Sequence, residues 1–411
     1  MKKILGRMAI HTKLRPGELI YGFKLNKIQP FPLYNFTSYE LMHEKTKAHY
    51  IHLDSKVSDN VFTILLRTPP IDNTGVSYTL GRLLNYGSKK YPVKNVFDST
   101  QALTLSSFTD TWAGFDFSYF SFGSSIEKEM LQLLSVHADS VYFPLLRYED
   151  FMIEGHRFVE SKDKKLLREG ESYNIMLKKH SLPQYFASRL RQNLFQSSPY
   201  KYDILGDLAC ISELTHKKVL DYHSSYYHPT HTWFISFGNM DFTKYLQLLE
   251  DNVMKYYKEP SSINSQIPNE VLANDNRVRI VQEEGMIDRS LPEDRQMTVA
   301  VSKICNVTDD YECFALDLLS KILIGVKNGP FYSVFVDSML GEGHYSNIDY
   351  GTYLKDRTFT LTVGGCLNEQ EHIDKAYDTI VDYLVRVKNT RFDIDDTLDI
   401  LLYNLSLSSV L

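Results

Sequence analysis

Residues 358–363 read Thr-Phe-Thr-Leu-Thr-Val, an alternation with the period of two that a half-buried β-strand requires. Residues 61–67 (VFTILLR) are apolar and β-branched, which predicts a buried strand. Residues 233–237 (WFISF) predict another, stopped by Gly238. Helical spacing governs residues 125–143, where Ile126, Met130, Leu133, Leu134, Ala138 and Val141 form one apolar stripe. A second helix is expected over residues 214–226, ended by His228-Pro229.

The same alternation returns further on. Residues 297–302 are strand-like, and residues 372–387 read as an amphipathic helix. Residues 311–326 (YECFALDLLSKILIGV) keep helical spacing with little polarity, so that helix is expected to be well buried. Between the two stretches, residues 258–268 (KEPSSINSQIP) are polar and turn-rich, as a linker would be. The pattern predicts an α+β unit used twice. The expected organisation is a first domain over residues 18–257, a linker over 258–276 and a second, truncated domain over 277–411. Residues 393–411 read as a helix whose Leu398, Leu401, Leu402 and Leu405 need a covering surface.

Composition narrows the function classes. The 411 residues are 43% hydrophobic and 23% charged, with a formal net charge of -6, so there is no electrostatic case for nucleic acid. Aromatic residues reach 13%, enough for large cores or interfaces. Cys210, Cys305, Cys313 and Cys366 form no C-x-x-C pair, which speaks against a disulfide framework or a zinc knuckle. No apolar run approaches the roughly 18 residues of a membrane span. Residues 1–17 carry Lys2, Lys3, Arg7, Lys13 and Arg15 without an acid, a bias that suits either a mitochondrial targeting segment or a flexible tail.

Short motifs in fixed order carry a resemblance. They are residues 17–23 (GELIYGF), 41–46 (LMHEKT), 67–70 (RTPP), 74–76 (TGV), 87–92 (GSKKYP), 141–146 (VYFPLL), 154–157 (EGHR) and 226–229 (YYHP). Residues 329–332 (GPFY) and 341–343 (GEG) follow in the second half. In this order the chain resembles the pitrilysin-type (M16) metallopeptidases, presequence protease branch, over their N-terminal half only. The resemblance implies α+β domains of the pitrilysin/mitochondrial-processing-peptidase kind, the second incomplete, and an inverted zinc motif H-x-x-E-H just after T-G-V.

At those five positions this chain reads Tyr78, Thr79, Leu80, Gly81 and Arg82. Tyr78 and Arg82 stand where the resemblance implies ligand histidines, Gly81 where it implies the general base. The distal ligand glutamate of a Y-N-E-M stretch is matched by Ile175 in Tyr173-Asn174-Ile175-Met176. The N-A-F-T segment that lines the family's site becomes Ser106-Ser107-Phe108-Thr109. Catalytic zinc needs three protein ligands and an open position. Gly81 and Ile175 offer no side-chain donor, Arg82 repels a cation, and Tyr78 binds a metal only as a phenolate. The sequence therefore implies no catalytic residue, no metal and no cofactor. Residues 78 and 82 are expected on one helix face, with Ile175 opposite them on a second helix. The histidines His216, His223, His228 and His231 give weaker ligand spacing, and no G-x-S-x-G or phosphate loop occurs.

The resemblance then implies a pseudopeptidase: a structural or assembly subunit of a larger, mitochondrial complex, with a cytoplasmic setting as the alternative. Other protein subunits are its expected partners. Alternative readings are a peptide-binding or regulatory module that holds unfolded peptides at a sheet edge, a zinc metalloendopeptidase degrading unfolded peptides or presequences, and a decayed product without a role.

Overall fold

The computed structural model describes residues 14–178, 182–271, 279–285, 287–305, 307, 309–324, 334–336, 338–341, 347–351 and 354–389. The chain forms two compact units. The first holds the described residues up to Lys178 and Tyr202–Ile267; the second holds the described residues of 182–201 and those from Pro268 on.

The strands of the first unit are β1 (Leu19–Ile20), β2 (Phe23–Phe31), β3 (Phe36–His43), β4 (His49–Ser55), β5 (Asn60–Arg67), β6 (Phe108–Ala113), β7 (Phe117–Ser124), β8 (Arg157–Glu160), β9 (Leu166–Glu169) and β10 (Thr232–Gly238). Eight of them form one sheet in the order β1-β2-β3-β4-β10-β5-β7-β6, and β8 and β9 form a separate hairpin. Neighbours are antiparallel except β4 and β10, which run parallel. β5 is central, so its alternate residues Phe62, Ile64 and Leu66 are fully buried. Ile64 faces Phe120 of β7 on one side and Phe234 of β10 on the other.

The helices in chain order are α1 (Val76–Leu83), α2 (Val96–Leu103), α3 (Glu127–Tyr142), α4 (Tyr148–Glu154), α5 (Glu171–Lys178), α6 (Leu182–Leu194), α7 (His216–Tyr226) and α8 (Phe242–Asn252). All but α6 belong to the first unit. Met130, Leu133, Leu134, Ala138 and Val141 of α3 join Phe242, Tyr245, Leu246 and Leu249 of α8 in the core over the central strands. Ile126, expected on the α3 stripe, instead precedes the helix in extended conformation and is 37% exposed.

The second unit contains β11 (Met297–Cys305), β12 (Asn347–Tyr350) and β13 (Arg357–Cys366), with α9 (Asp310–Ile324) and α10 (Gln370–Asn389). Its antiparallel sheet has the order β11-β13-β12. That is the β5-β7-β6 arrangement again, with a helix after the first strand and another after the last. The repeat that the sequence only suggested is thus explicit in the topology, and the fold is α+β in both units.

Helix α9 departs from the expectation of full burial. Tyr311 is 86% exposed and Phe314 54%, while Cys313, Ser320 and Leu323 form its buried side. An apolar composition all round told of two covered faces, and among the described residues one of them is open. The stretch read as a linker is partly docked: Thr230 accepts from the N–H of Ser261, Ser265 bonds His231, and Ile267 is buried in the first unit. Residues 393–411 and 329–332, for which a helix and a family motif were read, lie outside the described residues, as do residues 342 and 343 of the G-E-G motif.

Candidate functional site

The site is built on α1. Its start is fixed by backbone packing. Gly75 precedes α1 with φ 73°, and a Cβ there would lie 2.4 Å from the Leu205 carbonyl oxygen, so only glycine fits. Asp72 receives the N–H of Thr74 and pairs with Lys218 at 2.8 Å. Asn73 accepts from Asp203 and Asp207 across the facing loop. Val76, Leu80 and Leu83 then enter the core, which leaves Tyr78, Gly81 and Arg82 on the outward side.

Ile175 lies on α5, half-buried. Helix α5 packs beside α1: Ser172 receives the Thr79 hydroxyl at 3.2 Å, and the Met176 methyl lies against Gly75. Ile175 is one turn beyond Ser172, between these two contacts in sequence. All four positions read from the sequence thus sit on two adjacent helices.

The centre of the site is a residue that the sequence reading passed over except as part of a motif. Glu154, at the end of α4, is fully buried. It accepts from Arg82 Nε, from the Tyr86 hydroxyl at 3.0 Å and from the Ser172 hydroxyl at 3.3 Å. No spacing in the sequence marks Glu154 as a hub, because its partners come from two distant segments, residues 82–86 and residue 172. Arg82 stays charged: burial works against its charge, but the bond and attraction to Glu154 outweigh it and leave its pKa raised. Burial raises the Tyr78 phenol, with Arg82 pulling the other way through a hydrogen bond and its charge. Tyr86 is pushed up to about 12, by burial first and then by the Glu154 charge. A second carboxylate on α4, Asp150, is 2% exposed and bonded by Lys94 at 2.7 Å, and that ammonium lies over the Tyr86 ring.

These donors do not fit a zinc ion. Gly81 and Ile175 have no donor atom, burial favours the protonated form of Tyr78, and Arg82 places a fixed positive charge on the Glu154 carboxylate. Gly81 is not imposed by packing, since a Cβ there would meet nothing within 4 Å. The histidines are committed elsewhere: His216 donates to the Leu146 carbonyl, His223 to that of Val141, and His231 bonds Ser265. Among the described residues no group of three or more His, Cys, Asp or Glu side chains is placed to hold a metal. No helix among them is long and apolar enough to cross a membrane.

The segment 106–109 leads into β6, the outer strand of the large sheet. Phe108 lies over Gly123 of β7, and Trp112 is 61% exposed.

The chain matches the family model described as "Peptidase M16 inactive domain" over residues 213–398. It is 28% identical over 379 residues to the mitochondrial presequence protease of Xenopus tropicalis, covering 90% of this chain and 37% of that protein. The presequence protease of Drosophila melanogaster is 29% identical over 407 residues, or 96% of this chain and 38% of that one. These matches make the chain similar to the M16 peptidases in sequence and in fold. Solved structures with the same fold include a protease from Helicobacter pylori, with TM-score 0.66 at 15% identity over 89% of this chain and 84% of that one. Pitrilysin follows with TM-score 0.58 at 12% identity, over 92% of this chain and 39% of that one. The chain spans well under half the length of the curated relatives it matches. The family-model match lies beyond residues 78–82, so its label describes the part of the chain that does not carry α1.

Proposed function

We propose that this chain is a catalytically inactive M16 peptidase homologue that acts as a structural or assembly subunit with other protein chains. One observation carries the reading: where the resemblance implies a zinc site, the chain holds a closed Arg82–Glu154 ion pair flanked by Tyr78 and Tyr86. A guanidinium there supplies the positive charge that a buried carboxylate needs, so the fold stands without a cation. Hydrolysis needs a polarised water and a base, and neither Gly81 nor Ile175 supplies a group for either task. The exposed apolar side of α9, with Tyr311 and Phe314, supports a role in assembly. A mitochondrial setting is proposed from the names of the curated relatives, which give no support to a cytoplasmic one.

A peptide-binding pseudopeptidase is the second reading. It is favoured by the position of β6, whose outer backbone edge is unpaired among the described residues. Elemental analysis of the natively purified protein, with an assay on unfolded peptides, tests the proposal. The expected result is no stoichiometric zinc and no chelator-sensitive cleavage. About one zinc per chain together with such cleavage overturns it and restores the zinc endopeptidase reading.

A further inference from the structure

Helix α1 carries a glycine that its packing does not require. Gly81 sits inside the helix, where glycine is less favourable than alanine, and a Cβ there would meet nothing within 4 Å. The backbone of α1 is therefore bare on its outward side, beside Arg82 and one turn from Tyr78. A bare turn of this kind lets another group approach the helix backbone closely.

The side chains that border it form a half-used donor set. Arg82 gives its single Nε hydrogen to Glu154. The four Nη hydrogens remain, and a hydrogen bond joins the guanidinium to the Tyr78 phenol. A phenol that accepts from Arg82 keeps its own hydrogen to donate. The Arg82 side chain is still 40% exposed, whereas that of Glu154 is fully covered. Glu154, itself held by Tyr86 and Ser172, thus anchors the guanidinium from below and leaves its outer edge to solvent. A planar guanidinium edge with a phenol hydrogen beside it matches the two oxygens of a carboxylate. Glu154 already offsets the one charge, so a monoanion fits and a phosphate dianion is repelled.

We propose that Tyr78 and Arg82 hold a carboxylate monoanion against the bare turn at Gly81, with Glu154 as the positioning residue. The ligand is a small organic acid or the C-terminal end of a peptide. This rests on the inactive reading and deepens it: a site that keeps a cation but no metal binds its ligand without cleaving it.

Calorimetric titration of the natively purified protein with N-acetyl-tetraalanine, its C-terminal amide and sodium acetate tests the proposal. The acid should bind at least tenfold more tightly than the amide, and equally well with a chelator present. Acetate as strong as the peptide acid assigns the site to small acids; a peptide acid at least threefold stronger assigns it to peptide ends. Gly81→Leu should keep the circular dichroism of the parent, since its side chain enters open space, and should weaken the acid at least tenfold. Tyr78→Phe, which removes only the hydroxyl, should weaken the acid at least threefold and leave the amide unchanged. Equal binding of acid and amide, or undiminished binding by folded Gly81→Leu protein, overturns the proposal. So does a protein that binds neither, whether the site stands empty or is held by a carboxylate of the chain itself; the inactive reading survives that result. Binding of the acid that a chelator abolishes points to a metal and sinks both.

Discussion

Arg82 and Glu154 pair opposite charges in a place where the carboxylate cannot lose its partner cheaply. Glu154 is fully buried, so removing the guanidinium strands a carboxylate with only the Tyr86 and Ser172 hydroxyls as donors. Arg82→Ala should cost about 2–3 kcal/mol, less than a fully interior pair because Arg82 is itself partly exposed. Adding Glu154→Gln should recover part of that loss, and chemical denaturation of the four members of the cycle reads the coupling. A loss under about 0.5 kcal/mol for Arg82→Ala would mean that the pair holds nothing. His137 offers a second test. Its ring lies between Phe97 and Phe122, with centroids 4.5 and 4.4 Å away, and burial brings its pKa down to about 4. The unfolded chain, with an ordinary value near 6.5, binds more protons between these two values. Stability should therefore be full above pH 6.5 and fall as pH drops towards 4. His137→Leu should flatten this slope, worth on the order of 3 kcal/mol, in denaturant titrations at pH 7 and pH 4.5. His231, also near 4, keeps a share of the slope in the variant.

Among the elements, Glu270 does for the second unit what Glu154 does for the first. Its carboxylate receives the N–H groups of Gln196, Ser197 and Ser198 at 3.0, 2.9 and 2.7 Å. Burial pushes its pKa up, but these bonds outweigh it and leave it below the usual 4.5. Its contribution is therefore present above that value and lost as pH falls below it. Glu270→Ala should destabilise the second unit by about 2 kcal/mol, seen as faster hydrogen exchange in residues 195–201. Unchanged exchange there would show that the bonds are dispensable. Glu270 also illustrates what the sequence conceals. β5, β10, β11 and β13, together with α3, α7, α9 and α10, were legible because each has one apolar face with a clear period. The crossing helix α6, with arginines and glutamines through its length, shows no such face, and its membership in the second unit depends on contacts such as Arg189 with Glu283, 94 residues away. At the candidate site the helix positions Tyr78, Gly81, Arg82 and Ile175 were readable from flanking motifs. Glu154, Tyr86 and Ser172 were not, since a hydrogen-bonded hub assembled from three segments leaves no spacing in the chain.

For the whole molecule, assembly is the first expectation: sedimentation of natively purified material should show a species heavier than the 47.7 kDa chain. A single species at that mass would favour the solitary peptide binder. The path of the chain has a further consequence for its synthesis. Residues 182–201 belong to the second unit, yet the described stretches before and after them belong to the first. A ribosome delivers this segment long before its partners. Tyr200 bonds the N–H of Lys355, about 155 residues later, which at ordinary translation speeds is a wait of roughly 10–30 s. During that interval the insert has none of its later second-unit partners to fold onto. Nascent chains stalled with residue 267 just emerged should be cut by protease within residues 182–201, and chains released after residue 389 should resist at the same sites. The insert is thus a delayed fastener, and the interval before it closes is when a translating chain is most open to capture by chaperones or degradation.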